Sequence, residues 1–100
     1  MSQRLFYACD ARHDVDGRVH FMFRDLGPEI HTAASLAEAL EQIPAVLENR
    51  LVEWAMSGRD LPPCTPRAIH EFAVEAQVDR IHSRSRIRTW AIGMLTESEI

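Results

Sequence analysis

A single amphipathic helix, marked at both ends, constrains this chain more than any other feature. Ser35-Leu36-Ala37-Glu38 is a capping box. The serine oxygen accepts a backbone N–H of the first turn, and the glutamate reaches back to the serine N–H. Leu36, Leu40, Ile43, Leu47, Leu51 and Trp54 then follow in steps of three and four, which makes one continuous apolar stripe. Glu38, Glu41, Glu48 and Arg50 lie mostly off that stripe. Gly58 is a helix stop, and Leu61-Pro62-Pro63-Cys64-Thr65-Pro66 reads as an extended, stiff connector. Pro44 sits inside the helical run. Its missing N–H and its ring would cost about 3 kcal/mol in a regular helix. A kink is expected there, or a break with Pro44 restarting the helix at its first position.

A helix with one apolar stripe needs a partner layer, and the flanking segments supply strands. Residues 4–9, RLFYAC, are aromatic-rich and free of breakers. Asp16-Gly17 is a hairpin signal, because glycine takes the positive φ of a tight turn. In RVHFMF (18–23), Val19, Phe21 and Phe23 point one way and Arg18, His20 and Met22 the other. Gly27-Pro28 breaks the chain, and Glu29–Thr32 is a short third strand. HEFAVEAQV (70–78) alternates again, with Phe72, Val74, Ala76 and Val78 on one face. RSRIRTWAIGML (84–95) reads as a second helix with Ile87, Trp90, Ala91, Met94 and Leu95 apolar, and Thr96-Glu97-Ser98-Glu99 as a further capping box. The expected fold class is α+β, in the order β-β-β-α-β-α, with the main helix packed on one face of a small sheet. Residues 1–78 form the α+β domain, and residues 79–100 a C-terminal helix that opens a DNA-binding or dimerisation segment.

The bulk properties narrow the function classes. One hundred residues make one domain that buries somewhat over ~60% of its unfolded surface. A net charge of −4 argues against a chain that binds nucleic acid over its whole surface and suits a basic protein partner. All eleven cations are arginine. The two cysteines, Cys9 and Cys64, have no CxxC spacing, and nothing resembles a signal peptide. No apolar run is long enough to span a bilayer. The expectation is a cytoplasmic protein with free thiols, not associated with a membrane.

The order of these signals resembles the HicB antitoxin family of bacterial toxin–antitoxin pairs. That family runs through an aromatic strand, a D-G turn, a strand ending in aromatic-x-D-L-P-G, a short strand, T-x-x-x-S/T-hydrophobic-x-E-A and a P-x-P exit. Here the chain has DVDGRVHFMFRDLGPEIHTAASLAEAL and then DLPPCTP. Asp25-Leu26, Thr32, Ser35, Glu38-Ala39 and Pro62-Pro63 fall at the matching places. The likeness covers residues 4–66 well and 67–99 loosely. Gly27-Pro28 inverts the family's proline-glycine, and Pro44 is atypical. The resemblance implies a partial ribonuclease-H-like fold without a nuclease site. It also implies a partner, HicA: a small basic toxin that cleaves mRNA with a histidine and is blocked when the antitoxin covers its active site. A homodimer or higher oligomer, and an autorepressing complex, are further implications. Many relatives add a segment that reads operator DNA. RIRTWAIGMLTESEI looks like the run-up to a helix-turn-helix whose recognition helix is not in this sequence, so DNA is a partner only if such a segment exists.

The resemblance alone makes Asp10, Asp14, Asp16 and Asp25 candidate toxin contacts; Asp14 and Asp16 are also explained by the hairpin turn. Arg80, Arg84, Arg86 and Arg88 form the one basic cluster, for phosphate contact, dimer contact or a solvated helix face. With Glu38, the four aspartates are also the acids that a two-metal nuclease would need to converge, but Glu38 is accounted for by the capping box. His13, His20, His31, His70 and His82 match no zinc spacing. Cys9 reads as a small buried side chain. No catalytic residue, metal or other cofactor is expected. An interaction or ligand-binding domain without a toxin partner is the alternative, and a metal-dependent nuclease the weakest one.

Overall fold

Asp16-Gly17 closes the first hairpin, and the structure grows outward from it. A computed structural model describes residues 4–87. Strand β1 (Arg4–His13) runs four residues past the RLFYAC stretch, because Asp10 to His13 find partners in β2 (Val19–Phe23) from Met22 to Val19. Gly17 takes φ +83°, and the Asp14 N–H donates to the Arg18 carbonyl at 2.9 Å. A single 3-10 turn (Arg24–Leu26) ends β2. Strand β3 (His31–Ala33) lies one to two residues later than Glu29–Thr32 and pairs antiparallel with β2.

Helix α1 (Leu36–Met56) follows at once. Ser35 Oγ accepts the Glu38 N–H at 3.2 Å. The Glu38 carboxylate takes the Ala34 N–H instead of the expected Ser35 N–H. Pro44 does not break the helix. It is exposed, so the Leu40 carbonyl it leaves unpaired lies on the water side. Gly58, at φ +78°, donates its N–H to the Ala55 carbonyl and stops the helix.

The expected stripe is correct only in its middle, and Trp54 at its end is half-buried. Ile43, Leu47 and Leu51 are buried, joined by Ala39 and Val52, whereas Leu36 and Leu40 are exposed. Alanine carries a weak hydropathy signal, so the row through Ala39 was hidden behind the leucine row beside it.

Residues 57–71 then lead to β4 (Phe72–Gln77), which pairs antiparallel with β1. The sheet order is β3-β2-β1-β4. A second helix, α2, is described over 78–87. It begins six residues before the expected 84 and takes Val78 out of the strand; Ile81 and Ser85, four apart, turn one buried face to the core. Over the described residues the molecule is thus an α+β fold of two helices and a four-stranded antiparallel sheet. One sheet face carries Tyr7, Cys9, Val19, Phe21, Phe23, Ala33 and Ala76 against α1. Burying a side chain such as Leu47 completely stabilises the fold by about 1.5–3 kcal/mol. No helix among the described residues is long and apolar enough to cross a membrane.

Candidate protein-binding face

The other sheet face is the candidate site. Alternation along the strands assigns Phe6, Ala8, Asp10 and Arg12 of β1, His20 and Met22 of β2, Thr32 of β3, and Ala73 and Glu75 of β4 to it. Phe6 is 51% exposed, and Ile30, just ahead of β3, is 63% exposed. Ile30, Met22, Asp10, Arg12 and His20 line an open hollow on this side. Two polar networks flank the apolar strip.

The first stands at the hairpin. Asp14 Oδ1 accepts the backbone N–H groups of Asp16 (2.9 Å) and Arg18 (3.0 Å). Its other oxygen lies 2.9 Å from His20 Nε2. His20 Nδ1 lies 2.9 Å from Thr32 Oγ1 on the next strand. A carboxylate only accepts, so Nε2 carries the proton and a neutral ring takes the threonine O–H at Nδ1. The bond from His20, with help from the two backbone N–H groups and against some desolvation, holds the Asp14 carboxyl below the ordinary carboxylate range.

The second network fastens the connector to the end of β2. Asp25 accepts from the Thr65 N–H (3.0 Å) and hydroxyl (2.8 Å). Arg24 donates to Glu71 Oε1, Thr65 Oγ1 and the Pro66 carbonyl, each at 2.7 Å. Glu71 is buried but satisfied, since Oε1 also accepts the Ala68 N–H at 2.7 Å. On the core side, the Tyr7 hydroxyl donates to the Pro62 carbonyl at 2.8 Å. Burial, then Cys64 and Asp25 nearby, keep that phenol above its ordinary range.

The sequence candidates divide accordingly. Asp14 and Asp25 are engaged within the fold, and the Asp25 side chain is only 11% exposed. Asp10 pairs with Arg12 at 3.1 Å, with His70 at 3.9 Å. Asp16 is exposed at the turn. These acids do not converge: among the described residues, no three His, Cys, Asp or Glu side chains are placed to hold a metal ion. Arg80 and Arg84 both pair with Glu48 of α1, and Arg84 also donates to Asn49 at 2.9 Å. They fasten α2 to α1. Arg86 is exposed. Arg88, the apolar positions from Trp90 to Leu95 and the second capping box lie outside the described residues.

Sequence reading assigned no role to His20, Thr32, Arg24, Thr65 or Glu71. The alternation of β2 did put His20 on the outer face, but its partner depends on the register of β3. Compared with protein-family models, with curated proteins and with solved structures, the chain gives no match.

Proposed function

We propose that this chain is a non-enzymatic antitoxin of the HicB-like kind, acting in the cytoplasm, with a partial ribonuclease-H-like arrangement. It binds a small, basic, mRNA-cleaving toxin and neutralises it by covering the catalytic histidine and the RNA-binding surface. The order of motifs from the D-V-D-G turn to the proline exit supports the family reading. One observation in the fold supports a protein-binding role: every outer-face strand residue except Ala8 is at least partly exposed. There Phe6 and Ile30 stand exposed, and Ile30 shares a hollow with Asp10 and His20. An apolar strip with an acidic margin suits a basic protein partner, since apolar area supplies affinity and charge speeds encounter. Asp16 is the acid best placed for contact, because Asp14 and Asp25 are bonded inside the fold and Asp10 is held by Arg12 and His70.

The test is co-expression with the product of the neighbouring short reading frame. The expected result is a complex that co-elutes on gel filtration, with relief of growth arrest. Phe6→Glu and Ile30→Glu should each weaken it without unfolding the free chain. Separate elution with persistent growth arrest refutes the proposal and leaves an interaction domain without a toxin partner. RNA cleavage by the chain alone, dependent on magnesium and lost in Asp10→Ala, would favour the nuclease.

A further inference from the structure

Asp14, His20 and Thr32 stand in line on the outer sheet side, in the order of an orienting acid, a base and a hydroxyl. Asp14 Oδ2 lies 2.9 Å from His20 Nε2, and His20 Nδ1 lies 2.9 Å from Thr32 Oγ1. The carboxylate only accepts, so the ring proton is fixed on Nε2 and the Nδ1 lone pair is aimed at the threonine O–H. That is the tautomer a general base needs. The N–H groups of Asp16 and Arg18 hold the carboxylate in place. The register that sets His20 opposite Thr32 holds the base on its hydroxyl. Thr32 is exposed, and His20 also lines the hollow, about 230 Å³ in volume, whose apolar walls include Met22 and Ile30. Thr65, also exposed, gives the contrast. Its O–H donates to the Asp25 carboxylate, and its oxygen receives an Arg24 N–H. A carboxylate is a far weaker base than imidazole, and the donated N–H draws electron density from the oxygen.

We propose that Thr32 is a nucleophilic hydroxyl, activated by His20, that takes an acyl group from activated acyl esters. Oγ1 attacks the carbonyl carbon while its proton passes to His20 Nδ1. The bond from that carbon to the leaving oxygen then breaks, and the proton on His20 goes to the departing alcohol. The products are one ester on Thr32 and one free alcohol, with no change in oxidation state. Asp14 touches no reacting atom; it is a positioning residue that fixes the tautomer and stabilises the imidazolium. Donors for the oxyanion, on which turnover draws, are not among the three groups. The step is therefore stoichiometric, with one acyl group per chain. It does not depend on the toxin reading, because the chain alone is assayed.

The composition makes the step clean to measure. All eleven cations are arginine, so no side-chain amine competes for the acyl group. In a Cys64→Ser background, with Cys9 left buried, the chain is treated with p-nitrophenyl acetate near neutral pH. Release of p-nitrophenolate is followed, and the acetylated peptide is mapped by mass spectrometry. Acetate should appear on Thr32 faster than on Thr65. Thr32→Val should abolish it, and Thr32→Ser, which keeps the hydroxyl, should retain it. His20→Gln, whose amide can bridge the same two partners, should slow it by about 100-fold or more. Asp14→Asn keeps an oxygen for the turn N–H groups but presents an N–H to Nε2, which moves the ring proton to Nδ1. It should therefore be as slow as His20→Gln. Each variant is checked for its fold by circular dichroism. No acetate on Thr32 overturns the proposal. So does acetylation of Thr65 at the same rate, or a His20→Gln chain that reacts as fast as its parent.

Discussion

Asp14 does two jobs with one carboxylate, and only one of them is local. Its bonds to the N–H groups of Asp16 and Arg18 are the usual behaviour of aspartate in a turn and could be read from D-V-D-G. Its bond to His20, and through the ring to Thr32, could not, because β3 must first be in register. The sign of its pH effect follows from the lowered carboxyl value. The stabilisation is fully present above the unfolded carboxylate value of about 4 and is lost as pH falls through the depressed folded value. Asp14→Asn should therefore unfold at lower denaturant concentration than the parent chain at pH 7, and the difference should close below about pH 4. Urea titrations at several pH values measure this. The cysteines give a second check at the same scale. Burial first, then the charges of Asp10 and Glu71, push the Cys9 thiol up to about 12, while Cys64 is exposed. A thiol reagent at pH 8 should modify one cysteine in the native chain and both in denaturant.

Helix α1 was legible as an element and misread as a surface. Its caps, length and stop depend on residues within four positions of one another, so the sequence displays them. Which of two adjacent rows meets the sheet depends on how the helix is rolled against β2 and β3. The expected outcomes differ sharply along the leucine row. Leu47→Ala, at a fully buried position, should cost about 2–5 kcal/mol. Leu40→Ala, at an exposed one, should change stability by no more than about 0.5 kcal/mol. Pro44→Ala restores the bond to the Leu40 carbonyl in a helix that already runs through this site, and should raise stability by about 1–3 kcal/mol. Chemical denaturation of the three variants tests the assignment of the buried face.

At the scale of the molecule, the connector is the decisive piece. Residues 57–71 must carry the chain from the end of α1 to the far edge of the sheet, and they hold no regular structure of their own. Tyr7, Asp25 and Arg24 fasten them through Pro62, Thr65 and Glu71. Glu71→Ala removes the acceptor of Arg24 and of the Ala68 N–H, and should cost about 1–3 kcal/mol. Asp25→Ala should lower the melting temperature of the free chain as well as any complex. Weaker partner binding at an unchanged melting temperature would instead mark Asp25 as a contact residue. What the sequence determined by itself was the set of elements: the hairpin turn, the alternating strands, the capped helix and its stop, and so the α+β class. Periodicity and capping act over a few residues, and those signals survive in one dimension. Only the tertiary structure decided that Asp14 reaches Thr32 through His20, that Asp25 holds a threonine 40 positions away, and that Arg24 spans 47 positions to Glu71. Such contacts depend on strand order and register, which local patterns do not encode. That is why four acids that looked alike in the sequence ended with different duties in the fold.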